Sequence, residues 1–230
     1  VSLANLPAVL AQRKQGATTV ATTMLAAHRS GIAVVATGGI GGVHLRAHAN
    51  APLDESGDLM ALSRIPVTVV CAGPKAILDV AATRERLESL GITVVGYQSD
   101  RLPAFYCGQS PHAVDVRCNR ISDIVDVIRE RDRMALPSAI LVTVPIMESD
   151  ALPWDDVQDI VHAALRLPAA AHLAPAQVTP YLLGAVRNAL GDRALDANTA
   201  LLEQNARIAA ELAVALEGAN HQDRPERPRP

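Results

Sequence analysis

VTVVCAGPKAILDVAATRERLESLGITVVGY, residues 67–97, decides the fold. It opens on VTVVCAG (67–73), a short β-branched run of the kind buried on both faces of a parallel sheet. ILDVAATRERLESL (77–90) follows with apolar residues at helical spacing, and Gly91 stops it. ITVVGY (92–97) is again short, apolar and β-branched. Parallel neighbours need a crossover of this length, so strand, helix and strand form a βαβ unit. The expected class is α/β: a mostly parallel sheet flanked by helices.

Working upstream, residues 16–30 read as a helix ending at Gly31, and IAVVAT (32–37) as another buried strand. The glycine stretch GGIGGVH (38–44) follows that strand, then a polar loop with Pro52, Asp54 and Ser56, then a short helix over 59–64. Downstream, residues 113–118 read as a strand, and Ser122 as the cap of a helix reaching Met134. SAILVTVPI (138–146) is a further buried strand. Helices are expected over 154–167, 179–190 and 196–216, with a loop over 168–175. From Glu217 the composition turns to charge and proline, which bury no core, so residues 217–230 read as a disordered tail. One domain is therefore expected over 1–216, without internal repeat or linker.

At 230 residues, one domain buries roughly 70% of its unfolded surface. No apolar run reaches the ~20 residues of a membrane helix, and no signal peptide is readable. A cytoplasmic protein without membrane contact is expected. The net charge of −3, with Trp154, three Tyr and one Phe as the only aromatics, excludes a broad nucleic-acid footprint. Cys71, Cys107 and Cys118 lack metal-ligand or redox spacing and read as buried, reduced thiols. His28, His48, His112, His162, His172 and His221 form no ligand pattern and read as surface or loop residues.

Ligands of open α/β sheets bind at the carboxyl ends of the strands, and three unusual loops stand there. Residues 38–44 hold four glycines within five positions. Such a stretch is either a backbone nest for an anion or a tight structural turn. Asp54, Glu55 and Asp58 with Ser56 offer oxygen ligands to a hard cation, or simply the cap of the next helix. Lys75 follows Gly73-Pro74 at a strand end, and the chain holds only one other lysine, Lys14, among 21 cationic residues. Arginine forms no imine, whereas lysine does. Burial and the positive end of a following helix would both favour the neutral amine, the form an imine needs. The alternative is a surface lysine at a helix start.

Taken together, GATTVATTMLAAHRSGI (16–32), VVATGGIGGVH (34–44) and VTVVCAGPKAILD (67–79) resemble the pseudouridine-5'-phosphate glycosidases, the indigoidine synthase A-like family. GYQSDRLPAFYC (96–107), TPYLLGAV (179–186) and LDANTALLEQNARIAAELA (195–213) extend the resemblance over nearly all of the chain before the tail. It implies an α/β/α fold, a homotrimer and a divalent metal, commonly manganese. The implied reaction is reversible cleavage of the C–C glycosidic bond of pseudouridine 5'-phosphate to uracil and ribose 5-phosphate. A carbon leaving group is not released by protonating an oxygen, so two carboxylates do not suffice. The resemblance gives Lys75 the role of imine-forming nucleophile and Asp54 that of metal ligand. It gives Val20, Ser56, Gly57 and Asp58 substrate contacts, and Asn198 a part in recognising the base.

The sequence departs from the family in three places. The family's general-acid glutamate, in an ALEST-like motif, and a lysine preceding the position of Val1 are not among these residues. Val144-Pro145-Ile146-Met147 stands where the family has Asn-Pro-Ile-Pro. On this reading the domain lacks its family's N-terminal portion, and an exposed sheet edge or apolar face is expected. Two alternatives follow: an impaired remnant that binds sugar phosphate or pairs with intact subunits, and a generic Schiff-base sugar-phosphate enzyme.

Overall fold

β-branched runs too short for helices pair side by side into one five-stranded sheet. A computed structural model describes residues 1–46, 53–170, 173 and 175–222. The strands are β1 (Val34–Ala36), β3 (Thr68–Cys71), β5 (Thr93–Tyr97), β6 (Val116–Cys118) and β7 (Ile140–Thr143). Their spatial order is β1-β3-β7-β5-β6, and every neighbouring pair is parallel. A separate antiparallel ribbon joins β2 (Val43–His44) to β4 (Leu78–Asp79).

The period-2 alternation of the strands sorts the core into two layers. Val69, Val94 and Leu141 pack on one face with Met24, Leu62 and Leu87. Those partners come from α2 (Val20–Arg29), α3 (Gly57–Leu62) and α4 (Val80–Ser89). Val70, Val95 and Val142 face the other way, toward Ile124, Ile128, Ile208 and Leu212. These belong to α5 (Ile121–Arg133) and α8 (Asp192–Gln222). Each fully buried aliphatic side chain contributes about 1.5–3 kcal/mol, so both faces of the sheet hold the fold together. The expected α/β/α architecture is the observed one.

Two further helices, α6 (Trp154–Arg166) and α7 (Pro175–Leu190), pack Val161, Val178, Leu182 and Val186 onto Ile77 and Leu78. A short α1 (Leu6–Ala11) completes the helices of the described residues and was not expected. No helix among them is long and apolar enough to cross a membrane. Cys71, Cys107 and Cys118 are buried and free, as their spacing suggested.

Several boundaries differ from expectation, each for a local reason. The helix expected from Ile77 begins at Val80, because Asp79 is extended and caps it, accepting from the Ala82 N–H at 2.9 Å. Leu78 and Asp79 are thereby free to pair with β2. Ser122 is not a cap: α5 starts at Ile121, and the Asp123 carboxylate accepts from the Arg120 backbone N–H at 3.0 Å. Pro180, which reads as a helix start, lies inside α7. An interior proline costs about 3 kcal/mol, which the packing of Val178, Leu182 and Val186 offsets. α8 begins four residues before Asp196, at Asp192, directly after Gly191 turns the chain in the left-handed region. It continues past Leu216 to Gln222, while residues 223–230 of the expected tail lie outside the described residues. So do residues 47–52 of the polar loop, with His48 and Pro52, and residues 171, 172 and 174 of the loop over 168–175.

Gly73 marks where the chain leaves the central part of the sheet. Its φ is +82°, and a Cβ there would stand 1.9 Å from the Pro103 carbonyl oxygen. Backbone cannot swing aside as a side chain does. Gly73→Ala is expected to destabilise the fold by more than about 2 kcal/mol, read as a fall in the urea midpoint at unchanged slope. A midpoint equal to that of the parent would show that this corner is not held as described.

Candidate active site

The loops after β1 and β3 leave the same end of the sheet side by side, and their backbones bond to one another. The Ile40 N–H donates to the Gly73 carbonyl at 3.1 Å, and the Lys75 N–H to the Ile40 carbonyl at 3.2 Å. The β2–β4 ribbon ties the two loops again further on. This double tie fixes the backbone of Lys75 against the glycine stretch. Lys75 is half-buried, and among the described residues its ammonium has no ion pair or hydrogen bond. It stands five residues before the first residue of α4, so the helix-dipole reason for a neutral amine does not apply.

Val20, Ser56, Asp58, Lys75 and Asn198 line one cavity of about 450 Å³. Gly38, Gly39, Gly41, His44 and Phe105 form other parts of its wall. Five positions singled out in the sequence, spread from α2 to α8, therefore meet. Asp54 and Gly57 do not line it. Gly57 opens α3, and a Cβ there would touch nothing.

The three neighbouring carboxylates do not converge. Asp54 Oδ2 lies 3.2 Å from His44 Nδ1. Glu55 accepts from Arg86 Nε at 3.1 Å. Asp58 is buried, and its two oxygens accept from the Ala21 and Gly41 N–H groups, each at 2.9 Å. Among the described residues no three His, Cys, Asp or Glu side chains gather as a metal site. Ser56 caps α3, accepting from the Asp58 N–H at 3.2 Å, as helix-cap chemistry predicts.

The glycine stretch is tight because it is packed. A Cβ on Gly41 would stand 2.2 Å from Ser56 Oγ, so only glycine lets the Gly41 N–H reach Asp58. Thr83 Oγ1 accepts from the Val43 N–H at 2.9 Å beyond it. The far end of the stretch is His44, which sequence reasoning noted only as the last residue of the loop. Its ring meets both the side chain and the carbonyl of Asp54 at 3.2 Å through Nδ1, which leaves Nε2 without a partner among the described residues. The signal for it was its place at a strand end; the signal for Phe105 was only its place in the stretch GYQSDRLPAFYC (96–107), which did not single it out.

Other nucleophiles nearby are suppressed. Burial pushes the Cys71 thiol up to about 12, although a hydrogen bond from the Gly73 N–H works the other way. Burial likewise raises Cys107 to about 12. Neither is a thiolate at neutral pH.

Asp58 is a structural clasp as much as a cavity residue. A buried carboxylate bonded to two backbone amides is worth about 1.5–3 kcal/mol per bond, against 0–1 for the exposed Arg117–Asp100 pair at 2.9 Å. Asp58→Ala is expected to lower unfolding free energy by about 3 kcal/mol or more, and Asp100→Ala by less than about 1. Urea titrations of both variants check this, and equal losses would contradict it.

The chain matches the family described as Indigoidine synthase A like protein over residues 1–215. It is 44% identical to a pseudouridine-5'-phosphate glycosidase of Symbiobacterium thermophilum, over 94% of this chain and 71% of that protein. A pseudouridine-5'-phosphate glycosidase of Methylobacterium nodulans is 45% identical over 95% of this chain, which spans 64% of its length. Among solved structures, the prealnumycin C-glycosynthase AlnA in complex with ribulose 5-phosphate superposes with a TM-score of 0.90 at 34% identity. That match covers 96% of this chain and 72% of the other. Sequence and fold agree: the chain belongs to the Indigoidine synthase A like protein family.

Proposed function

We propose that this chain carries the imine-forming part of a pseudouridine-5'-phosphate glycosidase, with Lys75 as the nucleophile. The observation that supports it most is an unpaired lysine inside a cavity walled by a glycine loop and polar groups. Its relatives are glycosidases of that name.

The Lys75 Nζ lone pair attacks C1' of the nucleotide and displaces the ring oxygen O4', which takes up the proton that the nitrogen sheds. The nitrogen lone pair then expels C5 of uracil, which is protonated in turn, leaving an iminium between C1' and Lys75. Water adds to the iminium, and ribose 5-phosphate departs from the regenerated amine. The sum is nucleotide plus water to uracil plus ribose 5-phosphate. Lysine serves because its nitrogen regains a lone pair by shedding a proton after the attack, which carboxylate chemistry does not supply.

In this reading Val20 and Ser56, which line the cavity, contact the sugar phosphate, and Asp58 holds that corner in shape. Asn198 lines the wall on the side of α8, a position for the base. Of the ionisable wall groups His44, Asp58 and Lys75, Asp58 has both oxygens occupied. His44, oriented by Asp54, is the remaining carrier of a proton within these residues.

A divalent metal fits here only in a restricted form. Asp54 is partly exposed and offers one carboxylate already beside His44, so a manganese or similar ion would keep most of its water. Bound there, the ion would supply charge to hold substrate oxygens. The same reading takes the assembly as a homotrimer in the cytoplasm.

The 230 residues contain no ALEST-like glutamate. Loss of a general acid typically costs ~10²–10⁴-fold, so the purified chain is expected to release uracil that much more slowly than a longer relative. Absorbance at excess enzyme, with manganese present, measures it. Lys75→Arg keeps the charge and is expected to release none. Uracil release by Lys75→Arg at the parent rate would sink the proposal.

A further inference from the structure

Asn205 is a buried amide that the proposed chemistry does not use. It sits on α8 at 1% exposure. Its Nδ2 donates to the Thr37 carbonyl at 2.9 Å and to the Gly38 carbonyl at 3.4 Å. Its Oδ1 is buried without a hydrogen-bond partner. A lone buried acceptor is a standing cost, so packing alone does not account for an amide at this place.

The consequence lies on the other side of the same peptides. The Gly38 carbonyl also accepts from the Ala72 N–H at 2.9 Å. No peptide bond among the described residues is cis, so each N–H points opposite to the carbonyl of its own peptide plane. Drawing the Thr37 and Gly38 carbonyls toward Asn205 and Ala72 turns the Gly38 and Gly39 N–H groups away from them. Both glycines line the cavity of Lys75, and neither N–H has a partner among the described residues. Two successive free amides make a nest for an anionic oxygen.

We infer that Asn205 is a positioning residue: it sets the backbone of Thr37 and Gly38 so that the Gly38 and Gly39 amides face the cavity as paired donors to a phosphate oxygen. This rests on the reading that the cavity takes a sugar phosphate. Asn205 touches no substrate. It acts from the far side of the loop, across 167 residues of sequence.

The test is a nitrogen-15 amide titration of the full chain with inorganic phosphate and with ribose 5-phosphate. In the parent, the Gly38 and Gly39 amide protons shift downfield with either ligand. In Asn205→Leu, which has the same branched skeleton and no donors, their apparent affinity falls about tenfold or more while the amides of β5 and β6 stay in place. Asn205→Asp has the same shape, and its carboxylate repels both carbonyls, so it carries the same expectation at neutral pH should the leucine variant not fold. A variant in which Gly38 and Gly39 titrate as in the parent overturns the positioning role. If ribose 5-phosphate shifts Val20 but spares both glycines in the parent, the donor pair is wrong and the sugar-phosphate reading stands. If it shifts no cavity amide, that reading fails and this inference with it.

Discussion

The Asp58 carboxylate accepts from the first turn of α2 and from the glycine loop, while its own N–H is capped by Ser56. Three segments distant in sequence thus share one buried charge. The charge is tolerable because each oxygen has a backbone donor at 2.9 Å. Release of either bond would leave a buried carboxylate oxygen without its donor, which explains why this contact matters more than the ion pairs on the surface. It also fixes the positions of Val20 and Gly41, and therefore two walls of the cavity.

On that frame the second constraint is the pairing of the loops after β1 and β3. Parallel strands send their carboxyl ends to one side of the sheet, which brings the two loops together there. Backbone bonds through Ile40 then hold Lys75 at a set height over the glycines. Gly73 makes the turn possible, since its φ of +82° and the Pro103 carbonyl leave no room for a side chain. Lys75 and the Gly38 and Gly39 amides are therefore placed by main chain, with α8 closing the cavity through Asn198 and Leu202.

Much of this was legible in the sequence. The β-branched runs at residues 67–73 and 92–97 with an intervening helix imply a parallel sheet, and the strands lie within the expected stretches. Lys75, Ser56 and Asn198 were readable as residues of interest because composition or motif set them apart. The directions of side chains were not. Asp54, Glu55 and Asp58 are neighbours in sequence, yet the turn into α3 sends them to His44, Arg86 and two backbone amides. The two-residue β4 was invisible, because Leu78-Asp79 continues a helical pattern that only the capping by Asp79 interrupts. Asn205 was hidden for another reason: its partners are carbonyls 167 and 168 residues away, a contact that no local pattern encodes.

The central claim is that the amine of Lys75 forms a covalent imine with the sugar. Incubating the full chain with ribose 5-phosphate and sodium borohydride, followed by peptide mapping, reads it directly. The account predicts one reduced pentose-phosphate adduct, located on the peptide carrying Lys75 and absent from Lys75→Arg. An intact Lys75 peptide with no adduct, or an adduct on Lys14 alone, would contradict it.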